Sequence, residues 1–174
     1  NMIRGIFQAQ KEGFVQPVLV GDRARTITLL EKLGLEKEPY TMVDVAPGHD
    51  ITQEAINIIN SGDGDILMRG NTDTHNFLMH VLNRSNNLRT DRIMSHVSLV
   101  SLPEYPKLLA LSDMTVVIKP SLEQKKAIIR NTVDALNAFG YENPNLALLS
   151  LVDEVTFHMQ DTVDAQRLVS EQTR

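Results

Sequence analysis

The chain has 174 residues, 42% of them apolar, a net charge of −5 and no cysteine. That length allows one large domain or one and a half, with enough apolar residues for a core. The charge gives no bulk attraction to nucleic acid or to an acidic membrane, and the missing thiols exclude disulfides, thiolate metal sites and a cysteine nucleophile. No apolar run reaches the length of a membrane span, and no signal peptide is evident. The expectation is a cytoplasmic protein with no nucleic-acid or membrane partner.

The pattern is helix, strand, helix, strand. Residues 3–12 read as a helix already in progress, ended by Gly13. The expectation is a chain begun inside a longer protein, or one with an upstream segment not seen. Pro17–Gly21 reads as a buried parallel strand. Asp22 caps a helix through Thr26, Leu29, Leu30 and Leu33, stopped by Gly34. Tyr40–Val45 is the next strand, Pro47–Asp50 a turn ending in an N-cap, and Ile51, Ala55, Ile58 and Ile59 an apolar helical stripe closed by Ser61–Gly64. Asp65–Met68 reads as the third strand and residues 74–84 as its helix. Such alternation predicts an α/β fold with a parallel sheet covered on both faces, a three-layer domain. Ligands on these sheets sit beyond the carboxyl ends of the strands.

After residue 92 the pattern changes. Ile93–Leu102, Lys107–Leu111 and Thr115–Ile118 read as strands of antiparallel hairpins, with a turn at Pro103–Pro106. Ser121 caps a helix that runs to Phe139 and stops at Gly140. Leu146–Val152 reads as a buried strand and Thr162–Ser170 as a last helix. A domain boundary near residue 119 is expected, with residues 120–174 only part of a second α/β domain.

The chemistry concentrates in Asp65-Ile-Leu-Met-Arg-Gly-Asn-Thr-Asp-Thr74 and in Leu88-Arg-Thr-Asp-Arg-Ile-Met-Ser-His96. An apolar run ends at Gly70, small hydroxyl and amide residues follow, and a helix starts. That arrangement turns backbone N–H groups and hydroxyls toward an anion. Gly70 suits either a close backbone approach or a plain turn. Asn71, Thr72 and Thr74 are suited to donate to phosphate; helix capping by Thr72 or Asp73 is the compatible structural alternative. Arg89 offers a planar fork for a phosphate oxyanion, or a surface pair with Asp91. Arg92 reads as structural. Ser95 and His96 are adjacent in an expected strand, so they face opposite sides and make no hydrolase triad; one of them is a candidate for the cleft. The remaining histidines have no ligand spacing, so no bound metal is expected. Lys119-Pro-Ser121 reads as a hinge or cap, and Lys125, Lys126 and Arg130 as a solvated face.

Together, Pro17-Val-Leu-Val-Gly-Asp22, Gly64–Thr74, Val81-Leu-Asn83, Leu88-Arg-Thr90, Ser95-His-Val97, Leu122-Glu-Gln-Lys125 and Thr162-Val-Asp-Ala165 resemble the phosphate acetyl/butyryltransferase family. The Leu-Arg-Thr and Ser-His runs look more like its butyryltransferase branch. The resemblance implies transfer of a short acyl group between coenzyme A and inorganic phosphate, with acyl phosphate as the other product. It implies coenzyme A as substrate, no further cofactor, and a homodimer or higher homo-oligomer. It also implies a two-domain fold like that of isocitrate and isopropylmalate dehydrogenases, with residues 1–119 as an N-terminally incomplete phosphate- and acyl-binding domain. Gly70, Asn71, Thr72, Thr74, Arg89 and Ser95 are the residues it points to for substrate and phosphate binding. The family's first strand and its C-terminal Ser-Arg-Ala-Asp-type motif have no counterpart here, so the catalytic side chains are unassigned. The alternative is a non-catalytic phosphate- or coenzyme A-binding or dimerisation fragment. A decarboxylating dehydrogenase of the same fold would need an Asp metal cluster and a nucleotide site, and neither is present in the sequence.

Overall fold

The computed structural model describes residues 2–172. The chain divides into two compact units, residues 1–90 and 91–174.

The first unit follows the expected alternation. Helix α1 (Met2–Lys11) leads through Gly13 to β1 (Val18–Gly21), α2 (Arg23–Leu33) and β2 (Thr41–Asp44). The two strands pair in parallel, with Val18 opposite Thr41 and Gly21 opposite Asp44, as a helical crossover requires. Asp22 caps α2 by accepting the Arg25 N–H, and Gly34 ends it at φ 68°, a left-handed conformation that costs a residue with a Cβ. The core gathers Phe7, Leu30 and Leu35, with Ile3, Leu19, Leu33 and Tyr40 against them. The rings of Phe7 and Tyr40 meet edge to face at 6.2 Å.

Helix α3 (Ile51–Ser61) is capped by Asp50, whose carboxylate accepts the N–H groups of Thr52 and Gln53. Its buried face differs from the expected stripe. Thr52 and Ile56 are fully covered, whereas Ile51 is exposed and Ala55, Ile58 and Ile59 are half-buried. The loop after α3 covers those last two isoleucines: a Cβ on Gly64 would stand 3.1 Å from the Ile59 side chain. Glycine there allows the close approach.

Three expected strands are absent from the ladders, which among the described residues are the β1–β2 pair and, in the second unit, the antiparallel pair of β3 (Ser98–Val100) and β4 (Leu109–Leu111). Asp65–Met68 has no ladder partner; Ile66 is 70% exposed. An apolar run signals burial without saying whether a neighbouring strand is there to take its backbone groups. Leu146–Val152 fails for the same reason, with Leu149 and Leu151 almost wholly exposed. Thr115–Ile118 fails for a different one. The N–H groups of Thr115, Val116 and Val117 all donate to the Asp113 carboxylate at 2.9–3.1 Å, which leaves none of them for a ladder. Burial alone would push the Asp113 carboxyl up. The donors Val116, Thr115, Val117 and His96 outweigh it and hold the carboxyl below its ordinary range.

The turn and the two helices of the second unit match their readings, and the expected strands Ile93–Leu102 and Lys107–Leu111 shorten to β3 and β4. The turn at Pro103–Pro106 is closed by the Tyr105 N–H on the Leu102 carbonyl. Helix α5 (Leu122–Ala138) opens on a capping box between Ser121 and Gln124, and α6 is Gln160–Gln172. Lys125 of α5 reaches Asp164 of α6 at 2.9 Å, and Lys126 reaches Glu123 and Glu171. These lysines are therefore committed to carboxylates, where the sequence suggested a solvated face.

Candidate functional site

Helix α4 (Thr74–Leu82) begins where the unladdered segment 65–70 turns. Asp73 is its N-cap: the carboxylate accepts the Asn76 N–H at 2.9 Å and the carbonyl takes the Phe77 N–H. Of the two capping candidates it is Asp73, not Thr72, that does this. The N–H groups of Thr74 and His75 have no protein acceptor among the described residues. Two backbone donors thus stand at the positive end of the helix dipole, beside the Asn71 amide and the Thr72 and Thr74 hydroxyls. A Cβ placed on Gly70 would meet nothing within 4 Å. The space over this residue is open, and its φ lies outside the left-handed region.

The cation at this loop is one the sequence reading passed over. The Arg69 guanidinium folds back on the loop and donates from Nη1 to the Thr72 carbonyl at 2.6 Å. It lies inside the motif, one residue past the expected strand Asp65–Met68, and the sequence alone gives it no role. Arg89 stands elsewhere: its Nη1 donates to the carbonyl of Leu82, the last residue of α4, at 3.3 Å. Thr74 and Leu82 are separated by about 12 Å along the axis at ~1.5 Å per residue. A cation at a helix C-terminus complements the dipole, which gives Arg89 a structural role at the far end of the helix from Gly70, Asn71, Thr72 and Thr74.

Ser95 belongs to the second unit. Its hydroxyl oxygen and the Ile93 carbonyl both accept from Asn131 Nδ2 of α5, at 3.0 and 2.9 Å. His96 turns its Nε2 toward the Ser98 hydroxyl at 3.5 Å. Arg92 pairs with Asp134, in agreement with its structural reading. Among the described residues no group of three or more His, Cys, Asp or Glu side chains is placed to hold a metal ion. Among the same residues no helix is long and apolar enough to cross a membrane.

A concavity of about 480 Å³ lies at the carboxyl ends of β1 and β2, between Asp22, Arg23, Ile27, Asp44 and Pro47. Two carboxylates already occupy the start of α2: Asp22 takes the Arg25 N–H and Asp44 takes the Arg23 N–H, at 2.9 and 3.0 Å. An anion there would meet two carboxylates, whereas the start of α4 carries one, Asp73, with the Arg69 guanidinium folded onto the same loop.

Residues 46–173 match the phosphate acetyl/butaryl transferase family, and that span contains α3, the loop at 69–74, α4 and the second unit. The chain belongs to this family. It is 34% identical to a phosphate butyryltransferase of Clostridium beijerinckii over 96% of its own length and 55% of that protein. It is 31% identical to a phosphate acetyltransferase of Rhizobium meliloti over 94% of its length and 52% of that protein. The crystal structure of a branched-chain phosphotransacylase from Enterococcus faecalis shares the fold, with a TM-score of 0.72 at 24% identity, over 89% of this chain and 62% of that one. The chain spans about half the length of the curated relatives it matches. Relatives of the butyryl and acetyl branches match at similar identity, so the family is fixed and the branch is not.

Proposed function

We propose that this chain is part of an acyltransferase that moves a short acyl group between coenzyme A and inorganic phosphate. The observation that carries the reading is the placement, within the family span, of a helix N-terminus with two open backbone donors, flanking hydroxyls and a guanidinium. Thiolate sulfur would attack the acyl-phosphate carbonyl, the tetrahedral oxyanion would collapse, and the carbon–oxygen bond to phosphate would break as phosphate departs with its electron pair. What such a site supplies is a fixed place for the phosphate oxygens, which orients the carbonyl for attack. Gly70, Asn71, Thr72 and Thr74 are the proposed contacts, with Arg69 as the cation. Arg89 joins them only by leaving the Leu82 carbonyl; Ser95, which the resemblance also points to, has its hydroxyl engaged by Asn131 within the second unit.

The finer parts of the reading are a preference for butyryl or similar acyl groups, coenzyme A as substrate with no other cofactor, a cytoplasmic homodimer, and an isocitrate dehydrogenase-like two-domain architecture. The butyryl preference is supported by the Leu88-Arg-Thr90 and Ser95-His96 runs. A second reading, a binding or dimerisation fragment without turnover, is favoured by the half-length coverage of the relatives.

Thiol release from butyryl-CoA on adding phosphate separates the two when run beside a phosphate titration of the amide resonances of residues 70–75. Turnover supports the first reading, and binding without turnover the second. A folded chain with neither overturns both. Within the site, Arg69→Ala is expected to weaken phosphate by about tenfold or more, since a charge-assisted hydrogen bond contributes about 1.5–3 kcal/mol. Arg89→Ala is expected to do less. Equal losses would return Arg89 to the site, and no loss from either would move the phosphate away from this loop.

A further inference from the structure

Helix α4 carries the candidate loop at its N-terminus, yet none of its residues is fully buried. Its hydrogen-bonded ties to α3 among the described residues run through His80 and Asn86. His80 Nε2 lies 2.9 Å from Asp50 Oδ2, while Asp50 Oδ1 accepts the Thr52 and Gln53 N–H groups that start α3. The other ring nitrogen, Nδ1, lies 2.9 Å from the Asn76 carbonyl, one turn back along α4. Asn86 is 5% exposed. Its Nδ2 donates to the His80 carbonyl, its Oδ1 accepts from Gln53, and its own carbonyl accepts from Asn60, each at 2.9–3.0 Å.

We propose that His80 is a positioning residue: by bridging the Asn76 carbonyl and the Asp50 carboxylate it seats α4 on α3 and so fixes the loop at residues 70–74 that is to hold the phosphate. The inference deepens the reading of that loop and rests on it. Both partners of the ring are pure acceptors, so each contact needs a hydrogen on its own ring nitrogen. A neutral ring makes one of the two contacts and the imidazolium both. The carboxylate that takes the second also caps α3, so a single side chain couples the start of one helix to the body of the next. This polar clasp does the work that buried apolar contacts do for α2, and polar groups fix direction more narrowly than apolar packing does.

Hydrogen exchange and amide resonances of the 174-residue chain test it, with inorganic phosphate as the probe. His80→Ala is expected to speed exchange of the Phe77–Leu82 amides by about tenfold, a loss of about 1.4 kcal/mol in local opening. It should shift the resonances of Asn71–Thr74, weaken phosphate by a similar factor, and leave the α2 amides as they were. His80→Gln, whose amide donates to Asp50, is expected to restore most of each. Unchanged α4 exchange and loop resonances in His80→Ala would overturn the clasp, as would a general loss of protection that includes α2. If the unsubstituted chain shows no response to phosphate, the loop assignment fails, and the exchange comparison still decides whether His80 seats the helix.

Discussion

In residues 1–90 the buried side chains are chiefly Phe7, Leu30, Leu35, Val45 and Ile56, whereas in residues 91–174 Ile128 and Leu168 are accompanied by Thr132, Thr162 and Asp164. The first unit removes large apolar groups from water around one parallel strand pair. The second joins its helices through a buried carboxylate and hydroxyl groups while Ile118, Leu149, Leu151 and Phe157 stay almost wholly exposed. Apolar burial tolerates imprecise geometry and scales with area. A buried carboxylate tolerates none, because its desolvation is offset only while its partners stay in place. The two units should therefore fail in different ways.

The largest effect is expected at Leu30, which is fully buried in the first core. Leu30→Ala removes its methyl groups and leaves a cavity beneath Phe7 and Leu35, for a cost of about 2–5 kcal/mol. Urea unfolding followed by the amide resonances of α2 reads it. A loss under about 1 kcal/mol would mean that the first unit is not organised around this residue.

Next comes the Lys125–Asp164 pair. Asp164 is 4% exposed and accepts from Lys125 and Gln160. The Lys125 hydrogen bond, then that of Gln160, holds its carboxyl below the ordinary range against the upward push of burial. Lys125→Met leaves the carboxylate buried and short of a partner, at a cost of about 1–3 kcal/mol. The sign with pH follows from the lowered folded value. The stabilisation is present in full above the unfolded value, about 3.9, and is lost as pH falls through the folded one. Acid unfolding monitored at α6 should therefore lose its dependence on this pair in the Lys125→Met chain. An unchanged acid transition would remove the pair from the second unit's stability.

The same contrast sets what was legible in the sequence. Caps and helices were readable throughout, because Asp22, Asp50, Ser121, Gly34 and Gly62 act within one turn of where they stand. The parallel pair β1–β2 was readable because its crossover helix lies between the strands in sequence. Asp65–Met68 and Leu146–Val152 were not, since a strand is defined by a partner that no local pattern specifies. Thr115–Ile118 was lost to Asp113, a side chain outside the run competing for its backbone N–H groups. At the candidate site the donors of residues 71–74 were visible from small polar residues before a helix. Which arginine faces them was not, because that depends on where two long side chains fold back. The seat of α4 was equally hidden, since His80 meets Asp50 and Asn86 meets Gln53 across gaps of about thirty residues.

The smallest effect, and the one that separates local from tertiary stabilisation, is expected at Ser121. Its hydroxyl accepts the Gln124 N–H at 3.3 Å while the Gln124 side chain accepts the Ser121 N–H at 2.9 Å. Ser121→Ala removes one half of this reciprocal pair, for about 1 kcal/mol. The first turn of α5 precedes Lys125, so fraying there would loosen the ion pair with Asp164 as well. A double-mutant cycle with Lys125→Met measures that link. If the cap acts only on its own turn, the two losses add within about 0.5 kcal/mol. If the cap also holds Lys125 in register with Asp164, the second substitution costs less once the first is made. Coupling of that sign would show that the second unit's electrostatic core begins at a helix start already readable in the sequence, whereas simple additivity would confine Ser121 to its own helix.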